Sequence, residues 1–417
     1  MKPILPIAFI ALFSCSGAAH SRAADALTTA SPVTVAATRS CTAIVPNPAP
    51  TNGPAPVTPE GLQVPRDLHI QRIAAVPGAR ELAFSPNGDL FVGTESSSLY
   101  IVPNADANAR AGAPAVFATL PDDIAAGVAF SGGNCTIYVG TEFGVYRIAY
   151  HMGDQHASSS PVKIASVRVG GAGGHSTTSV AVSGSTLYAS VGSSCNSCVE
   201  SDPTRATVQE MHLDGSNMTT RAKHIRNAIG LSVNTNTGTV WAGDAGQDAL
   251  PQGHPYEFFD PVTKHAGVPD YGWPKCEENH NAFGSGADCA ATVAPLVEFP
   301  AYSTIIGTTF VPASNHGSHA LPARFNGGAF VSMHGSWHAV NGISIAPPRI
   351  AFVPMHGDTP VSAVDWSTPT RQWSNFVWGF QTSSGSRIGR ATGVAIGPQG
   401  DLFFADDQNG AIYRVRP

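Results

Sequence analysis

One phrase recurs along the chain: a short apolar strand, a turn containing Gly or Asn, and a second apolar strand that ends in a polar cluster. The copies read "ELAFSPNGDLFVGTE", "GVAFSGGNCTIYVGTE", "SVAVSGSTLYASVGS", "GLSVNTNTGTVWAGD", "GTTFVPASNHG…FNGGAFVSMHG" and "GVAIGPQGDLFFADD". Such self-similarity marks a solenoid or a propeller, and antiparallel strand-turn-strand units spaced by tens of residues favour the blades of a propeller. Six copies predict an all-β, six-bladed β-propeller of four-stranded antiparallel blades. Their spacing is looser than the ~40–45 residues of a regular propeller repeat, so several blades should carry loop insertions. The largest is expected from about Pro251 to Tyr302. The last copy runs to Arg416-Pro417 with no spare strand, so the stretch from Leu68 to Ala75 is expected to complete the final blade and close the ring.

Composition agrees with a turn-rich fold and a large core: 12% of residues are charged and 42% hydrophobic, with 43 glycines and 33 prolines. The formal net charge of −6 is small for 417 residues and no basic patch is visible. Neither nucleic acid nor an anionic membrane surface is therefore an expected partner. The opening "MKPILPIAFIALFSCSGAAHSRAADA" places one lysine before an apolar run, Ile4 to Phe13, followed by small residues. That pattern reads as an export signal over 1–24, cleaved around Ser21 to Ala24. Cys15 offers a lipid-anchoring alternative, which the bulky Phe13 beside it disfavours. No later stretch has the ~18 continuous apolar residues of a membrane span. The expected mature protein is periplasmic or secreted, with a Pro/Ala/Thr-rich extension over 25–65 and a propeller domain over 66–417.

Six cysteines follow the signal, an even number that favours disulfides over zinc in an exported protein. Proximity suggests Cys195–Cys198 and Cys276–Cys289, leaving Cys41 to Cys135, which would pin the extension to the body. Six cysteines permit about 15 pairings. "CNSCVE" lacks a histidine after its second cysteine, so it is no c-type haem site, and a structural staple is favoured over a redox motif.

The repeat register also places the chemistry. The first strand of a blade lies innermost and the second runs back beside it, so the start of the first and the end of the second share one face. Aligned on the small residues Gly127, Ser179, Gly230, Gly307 and Gly393, the copies carry Asp123, His175, Arg226 with Asn227, Ser303 and Arg390 just upstream. At the ends of the second strands stand Glu95, Glu142, Ser193, Asp244, His334, and Asp406 with Asp407. Basic, acidic and histidine groups thus ring one mouth, as a polar ligand with anionic groups requires. Glu95 and Glu142 read more simply as loop caps. His175 alone would read as a hydrogen-bonded loop histidine, and its place in the ring is what points to function.

With these residues in view, the chain resembles the soluble pyrroloquinoline-quinone (PQQ)-dependent sugar dehydrogenases, in particular the glucose/sorbosone group. The matching phrases are "GGHSTTSVAVSGSTLYASVGSSCNS", "RNAIGLSVNTNTGTVWAGDAGQD", "DYGWP", "GGAFVSMHGSW" and "GRATGVAIGPQGDLFFADDQNGAIYRV", spread from about Leu82 to Val415. The resemblance implies a six-bladed propeller with PQQ and Ca²⁺ in its mouth, and oxidation of a sugar or sugar-derived aldehyde, with electrons leaving to a separate acceptor. It implies His175 as general base and Arg226 as the group that stabilises negative charge developing on the quinone. Asn227, His334, Arg390 and Asp406 are implied at the cofactor, and Asp244, Ala245, Gly246 and Asp248 at the metal. Chemistry agrees: histidine is a base near neutral pH without much tuning, guanidinium forks grip carboxylates, and Ca²⁺ takes oxygen ligands, among which Gln247 could also serve.

Two positions depart from the family pattern. Ser193 stands where sugar-oxidising members have an acidic partner for the histidine, and His334 where some have a lysine on the cofactor. Trp337 is equally suited to stacking on a ligand and to plugging a gap between blades, and Trp273 better suited to the plug. His280, His316 and His319 lack metal-ligand spacing and read as surface residues. The competing functions are a metal-dependent lactonase, which would need a compact Glu/Asn/Asp cluster and no arginine pair, and a non-catalytic carbohydrate- or protein-binding propeller.

Overall fold

A computed structural model of the chain describes Cys41, 51–248, Leu250, 253–340 and 343–417. The expected export signal, Cys15 and most of the extension lie outside the described residues. The described chain is built from six four-stranded antiparallel sheets. Blade 1 runs Ala79–Phe84, Leu90–Thr94, Ser98–Val102, Ala115–Thr119, and blade 2 runs Gly127–Ser131, Thr136–Gly140, Gly144–Ala149, Val162–Ser166. Blade 3 is Thr178–Ser183, Thr186–Val191, Thr207–His212, Thr219–Lys223, and blade 4 is Gly230–Val233, Val240–Gly243, Glu257–Asp260, Val297–Phe299. Blade 5 is Ile305–Phe310, Ala329–Met333, Arg349–Val353, Ser374–Val377. Blade 6 joins Ala391–Ile396, Leu402–Asp406 and Ala411–Arg416 to a strand from the other end of the domain, His69–Ala75.

That last pairing runs from His69 opposite Arg416 to Ala75 opposite Ala411, so the ring closes as the missing strand required. Closure matters physically because it removes the exposed sheet edge that an open stack would leave for aggregation. Each first strand packs against the first strands of both neighbours around the axis. The aligned small residues permit this approach: a Cβ on Gly127 would overlap the Thr178 carbonyl, and one on Gly393 would overlap the Arg80 carbonyl. In blade 3 the position is Ser179, whose hydroxyl donates to the Ile229 carbonyl at 2.6 Å and accepts from the Glu81 carboxyl, whose pKa burial raises to about 8 and so keeps it protonated.

Between blades, apolar side chains of alternating strand positions form the core. Phe325 packs edge-on against Phe352 and Phe376, with Phe330 tilted beside them, between blades 5 and 6, and Trp241, Phe259 and Phe310 pack at tilted angles between blades 4 and 5. The expected insertion from Pro251 to Tyr302 is only partly one. It supplies the third and fourth strands of blade 4, and the true excursion lies between Asp260 and Val297. Among the described residues the helical content is one turn of 3-10 helix, Ala323–Phe325, and no helix is long and apolar enough to cross a membrane.

The three disulfides pair as proximity suggested: Cys41–Cys135, Cys195–Cys198 and Cys276–Cys289. Cys41 is buried, and its amide donates to the Gly132 carbonyl at 2.7 Å, so the extension is fastened to the first hairpin of blade 2. A link across 94 residues removes much freedom from the unfolded chain. Cys41→Ser with Cys135→Ser is expected to lower unfolding stability by about 2–4 kcal/mol, read from denaturant midpoints at unchanged slope.

Candidate functional site

The loops that enter first strands and leave second strands meet at one mouth of the ring. They enclose a cavity of about 210 Å³ lined by His175, Arg226, Asn227, Ala245, Gly246, Asp248, His334 and Arg390, together with Glu257, Tyr302, Thr304 and the segment Ser336–His338. Eight of the residues singled out from sequence are thus brought together. Asp244 and Asp406 are not on this wall. Both sit at the ends of second strands, as the register required, but each turns its carboxylate onto backbone. Asp244 Oδ1 accepts the Asn227 amide at 2.6 Å, and Asp406 Oδ1 accepts the Arg390 amide at 3.0 Å. They hold the loops that carry cavity residues.

His175 is fixed on three sides. Its backbone amide donates to the Ser193 carbonyl at 2.9 Å, and its carbonyl accepts from Arg168 Nε at 3.1 Å. Its ring Nδ1 lies 2.9 Å from Ser193 Oγ and 3.1 Å from the Ser193 carbonyl. Ser193 Oγ donates its own proton to the Cys195 carbonyl at 2.7 Å, so both of its contacts with the ring must accept. Nδ1 therefore carries the hydrogen, and Nε2 keeps its lone pair. Serine does here, through tautomer selection, part of what an acidic partner would do. Burial, and then the Arg226 charge, lower the His175 pKa to about 4, so the ring is neutral at physiological pH.

Arg226 is clamped by three acceptors: the Asn196 carbonyl to Nε at 3.1 Å, Asn196 Oδ1 to Nη2 at 2.9 Å, and the Ala245 carbonyl to Nη1 at 3.0 Å. A guanidinium has five N–H donors; since Nη2 also lies 3.6 Å from Asp248 Oδ2, one Nη1 hydrogen remains for a ligand. Arg390 donates through Nε and Nη2 to the carbonyls of His334 and Gly335, at 3.1 and 2.9 Å, which leaves Nη1. Across the cavity, His334 Nε2 contacts Asp407 at 2.8 Å, and Arg80 holds Asp407 at 2.9 Å. Burial outweighs that carboxylate and lowers the His334 pKa to about 4. His334 therefore presents a neutral ring where a lysine would bring a charge.

Beneath the Ala245–Asp248 loop lie buried acids. Burial raises Asp244 to about 6 and Glu277 to about 8, and lifts Glu257 well above its ordinary value, with the Asp244 charge adding to the last two. Glu257 Oε2 accepts the Ile305 amide at 3.1 Å. Gln247 is turned away from the cavity, donating to the Pro274 carbonyl at 3.0 Å and to Glu277. Asp248 instead faces it, taking His338 Nε2 at 2.9 Å. At the rim Trp337 is 74% exposed and lies flat against His338, 3.9 Å between ring centres. Trp273 is buried and fills a gap, its Nε1 donating to the Asn196 carbonyl at 3.2 Å.

Sequence reasoning missed Glu257, Tyr302, His338 and Asn196. A lone acid in the apolar strand "EFFD", and the second histidine of "HGSWH", were the available signals. Of the histidines read as surface groups, His280 and His316 are exposed, whereas His319 is partly buried between Asn108, Asp401 and Arg416, with its pKa lowered to about 4, mainly by burial. Gly192 packs against both key side chains: a Cβ there would lie 2.5 Å from His175 Cβ and closer still to Asn227 Oδ1. Gly192→Ala is expected to misplace both and to lower kcat/KM by about 10²-fold, with a stability loss of about 1–3 kcal/mol, measured by steady-state rates beside thermal unfolding.

The six-bladed propeller fold is shared with several solved structures. Over residues 275–417 the chain matches the family described as TrAA12-like. It is similar to the holo form of the pyranose dehydrogenase PQQ domain from Coprinopsis cinerea, at 15% identity and a TM-score of 0.70, covering 87% of this chain and 98% of that one. The calcium structure of a Trichoderma reesei carbohydrate-active enzyme of family AA12 is 18% identical, with a TM-score of 0.67 over 90% of this chain and 99% of that one. The PQQ-bound aldose sugar dehydrogenase from Streptomyces coelicolor is 15% identical, with a TM-score of 0.58 over 87% and 99% of the two chains. Among curated proteins, an uncharacterised protein of Borreliella burgdorferi is 24% identical over 194 residues, 46% of this chain and 47% of that one, so the chain spans about half the length of that relative. The resemblance to PQQ-dependent sugar dehydrogenases read from the motifs is in line with these matches.

Proposed function

We propose that this protein is a PQQ- and Ca²⁺-dependent dehydrogenase that oxidises a sugar or a sugar-derived aldehyde. The observation that carries this reading is the pairing, in one cavity, of a histidine with a fixed Nδ1–H tautomer and an arginine that keeps an Nη1–H donor for a ligand. The donor set suits the cofactor and its metal. Arg226, Arg390 and Asn227 offer donors for carboxylates and carbonyls, and the Gly246 carbonyl with Asp248 would offer oxygens for a hard cation, the Ala245 carbonyl already accepting from Arg226.

When bound, PQQ supplies a quinone carbonyl that accepts hydride from a carbon bearing a hydroxyl. His175 Nε2 takes the hydroxyl proton as the C–H bond is broken, which keeps charge from building on the substrate oxygen. Arg226 would offer its remaining Nη1 donor to the oxygen on which negative charge develops. Arg390 and Asn227 orient the acceptor, and Trp337 gives the rim an exposed aromatic face for a sugar ring. A lactonase would require a compact cluster of metal-binding acids. Among the described residues, the group of three or more metal-capable side chains within ligand distance of one another is Cys195, Cys198 and Glu200, and the two cysteines are bonded to each other. Three disulfides fit an oxidising compartment, periplasmic or extracellular.

Dye-linked assay of purified protein supplied with PQQ and Ca²⁺, against a panel of aldoses and sorbosone, tests the reading. Turnover that needs both additions is expected; hydrolysis of lactones without PQQ would overturn it.

A further inference from the structure

Asn196 lies on the protein surface between Cys195 and Cys198, outside the cavity lining, yet it makes five hydrogen bonds into the walls of the site. Its carbonyl accepts from Arg226 Nε at 3.1 Å and from Trp273 Nε1 at 3.2 Å. Its side-chain oxygen accepts from Arg226 Nη2 at 2.9 Å and from the Asp248 amide at 2.8 Å, while its Nδ2 donates to the Asp248 carbonyl at 2.9 Å. One side chain therefore ties the arginine of the cavity to the loop Ala245–Asp248, and a single backbone carbonyl ties the same arginine to the buried Trp273. The ring also reaches the histidine, because the Cys195 carbonyl takes the Ser193 hydroxyl proton that fixes its tautomer.

An exposed asparagine on an open loop would lose these bonds to solvent and to its own conformational freedom. The disulfide closes the loop at a sequence separation of 3, which leaves the Asn196 backbone few alternatives. We propose that Asn196, held by the Cys195–Cys198 ring, is the positioning residue that aims Arg226 and registers it against the Ala245–Asp248 loop. The inference rests on the PQQ dehydrogenase reading and adds to it a part of the chain outside the cavity lining. It also gives the short cysteine motif a role in the site rather than in redox exchange.

The test compares the wild type with Asn196→Ala, Asn196→Asp and the double variant Cys195→Ser with Cys198→Ser. The measurements are kcat, KM for the sugar, the PQQ dissociation constant from quenching of tryptophan fluorescence, and the melting temperature. Asn196→Ala is expected to lower kcat and weaken PQQ binding by about 10–100-fold, the usual effect of losing a group that orients a site ligand, with KM within about twofold and the fold intact. Asn196→Asp keeps the oxygen that accepts from Arg226 and should recover most of kcat, whereas the cysteine variant should behave as Asn196→Ala. A folded Asn196→Ala protein with wild-type kcat and PQQ affinity overturns the proposal, as does equal loss in the alanine and aspartate variants. A wild type that binds no PQQ overturns the functional reading and this inference with it; a wild type that turns over beside an unchanged alanine variant overturns the inference alone.

Discussion

Replacing His175 with alanine is expected to lower kcat by about 10²–10⁴-fold, the span of general-base contributions, while PQQ still binds. The expectation follows from the arrangement of its ring. Ser193 fixes the hydrogen on Nδ1, so the lone pair that would take the substrate proton is on Nε2. The pH dependence has a definite sign. An ordinary histidine titrates near 6.5, but burial and the Arg226 charge bring His175 down to about 4. A lowered pKa keeps the basic form present to lower pH, so the acid limb of kcat/KM should fall below pH 6.5 and move toward 4. The charges that act on the ring are Arg226 and Arg168, which lower it, and Asp248, which raises it. A limb at pH 7 or above, or an alanine variant with full kcat, would remove His175 from the role of base.

The second large effect is at Arg226. On the proposed reading, Arg226→Ala removes a guanidinium whose remaining donor would face developing negative charge, and loss of one such donor costs about 10²–10³-fold in kcat. It also leaves the Asn196 and Ala245 carbonyls without the donor they now share. The Arg226→Lys variant separates the two roles. Lysine restores a charge but cannot reach Asn196 at two atoms and Ala245 at a third, so it should recover PQQ affinity more than kcat. Steady-state kinetics beside equilibrium PQQ binding would read the difference. Equal recovery of both would mean that only the charge mattered.

The ring was legible in the sequence because five of the six first strands carry a small residue at the point of closest approach, Glu81 standing there in the first copy, and because the last copy visibly lacked a strand that Leu68 to Ala75 could supply. The mouth was legible for the same reason: strand register fixes which loop faces which end, and this is a backbone property. His175, Arg226, Asn227, His334 and Arg390 therefore fell where expected. What register does not fix is where a side chain turns once it arrives. Asp244 and Asp406 reach the mouth and then cap the amides of Asn227 and Arg390, because a buried N–H left unpaired is costly and a carboxylate was within reach. Glu257 comes from a third strand, and its partner is the Ile305 amide of the next blade, a contact that exists only once the blades are packed. Asn196 shows the same limit, since its partners lie 30 and 52 positions away and meet it only across blades 3 and 4.

The most direct measurement is an equilibrium titration of the purified protein with PQQ in the presence of Ca²⁺, beside the same titration of an Arg226→Ala, Arg390→Ala double variant. The cavity described above predicts saturation at one PQQ per chain in the wild type and a large loss of affinity in the variant. Folded wild-type protein that takes up no PQQ, or a double variant that binds it equally well, would contradict the assignment of this mouth as the cofactor site.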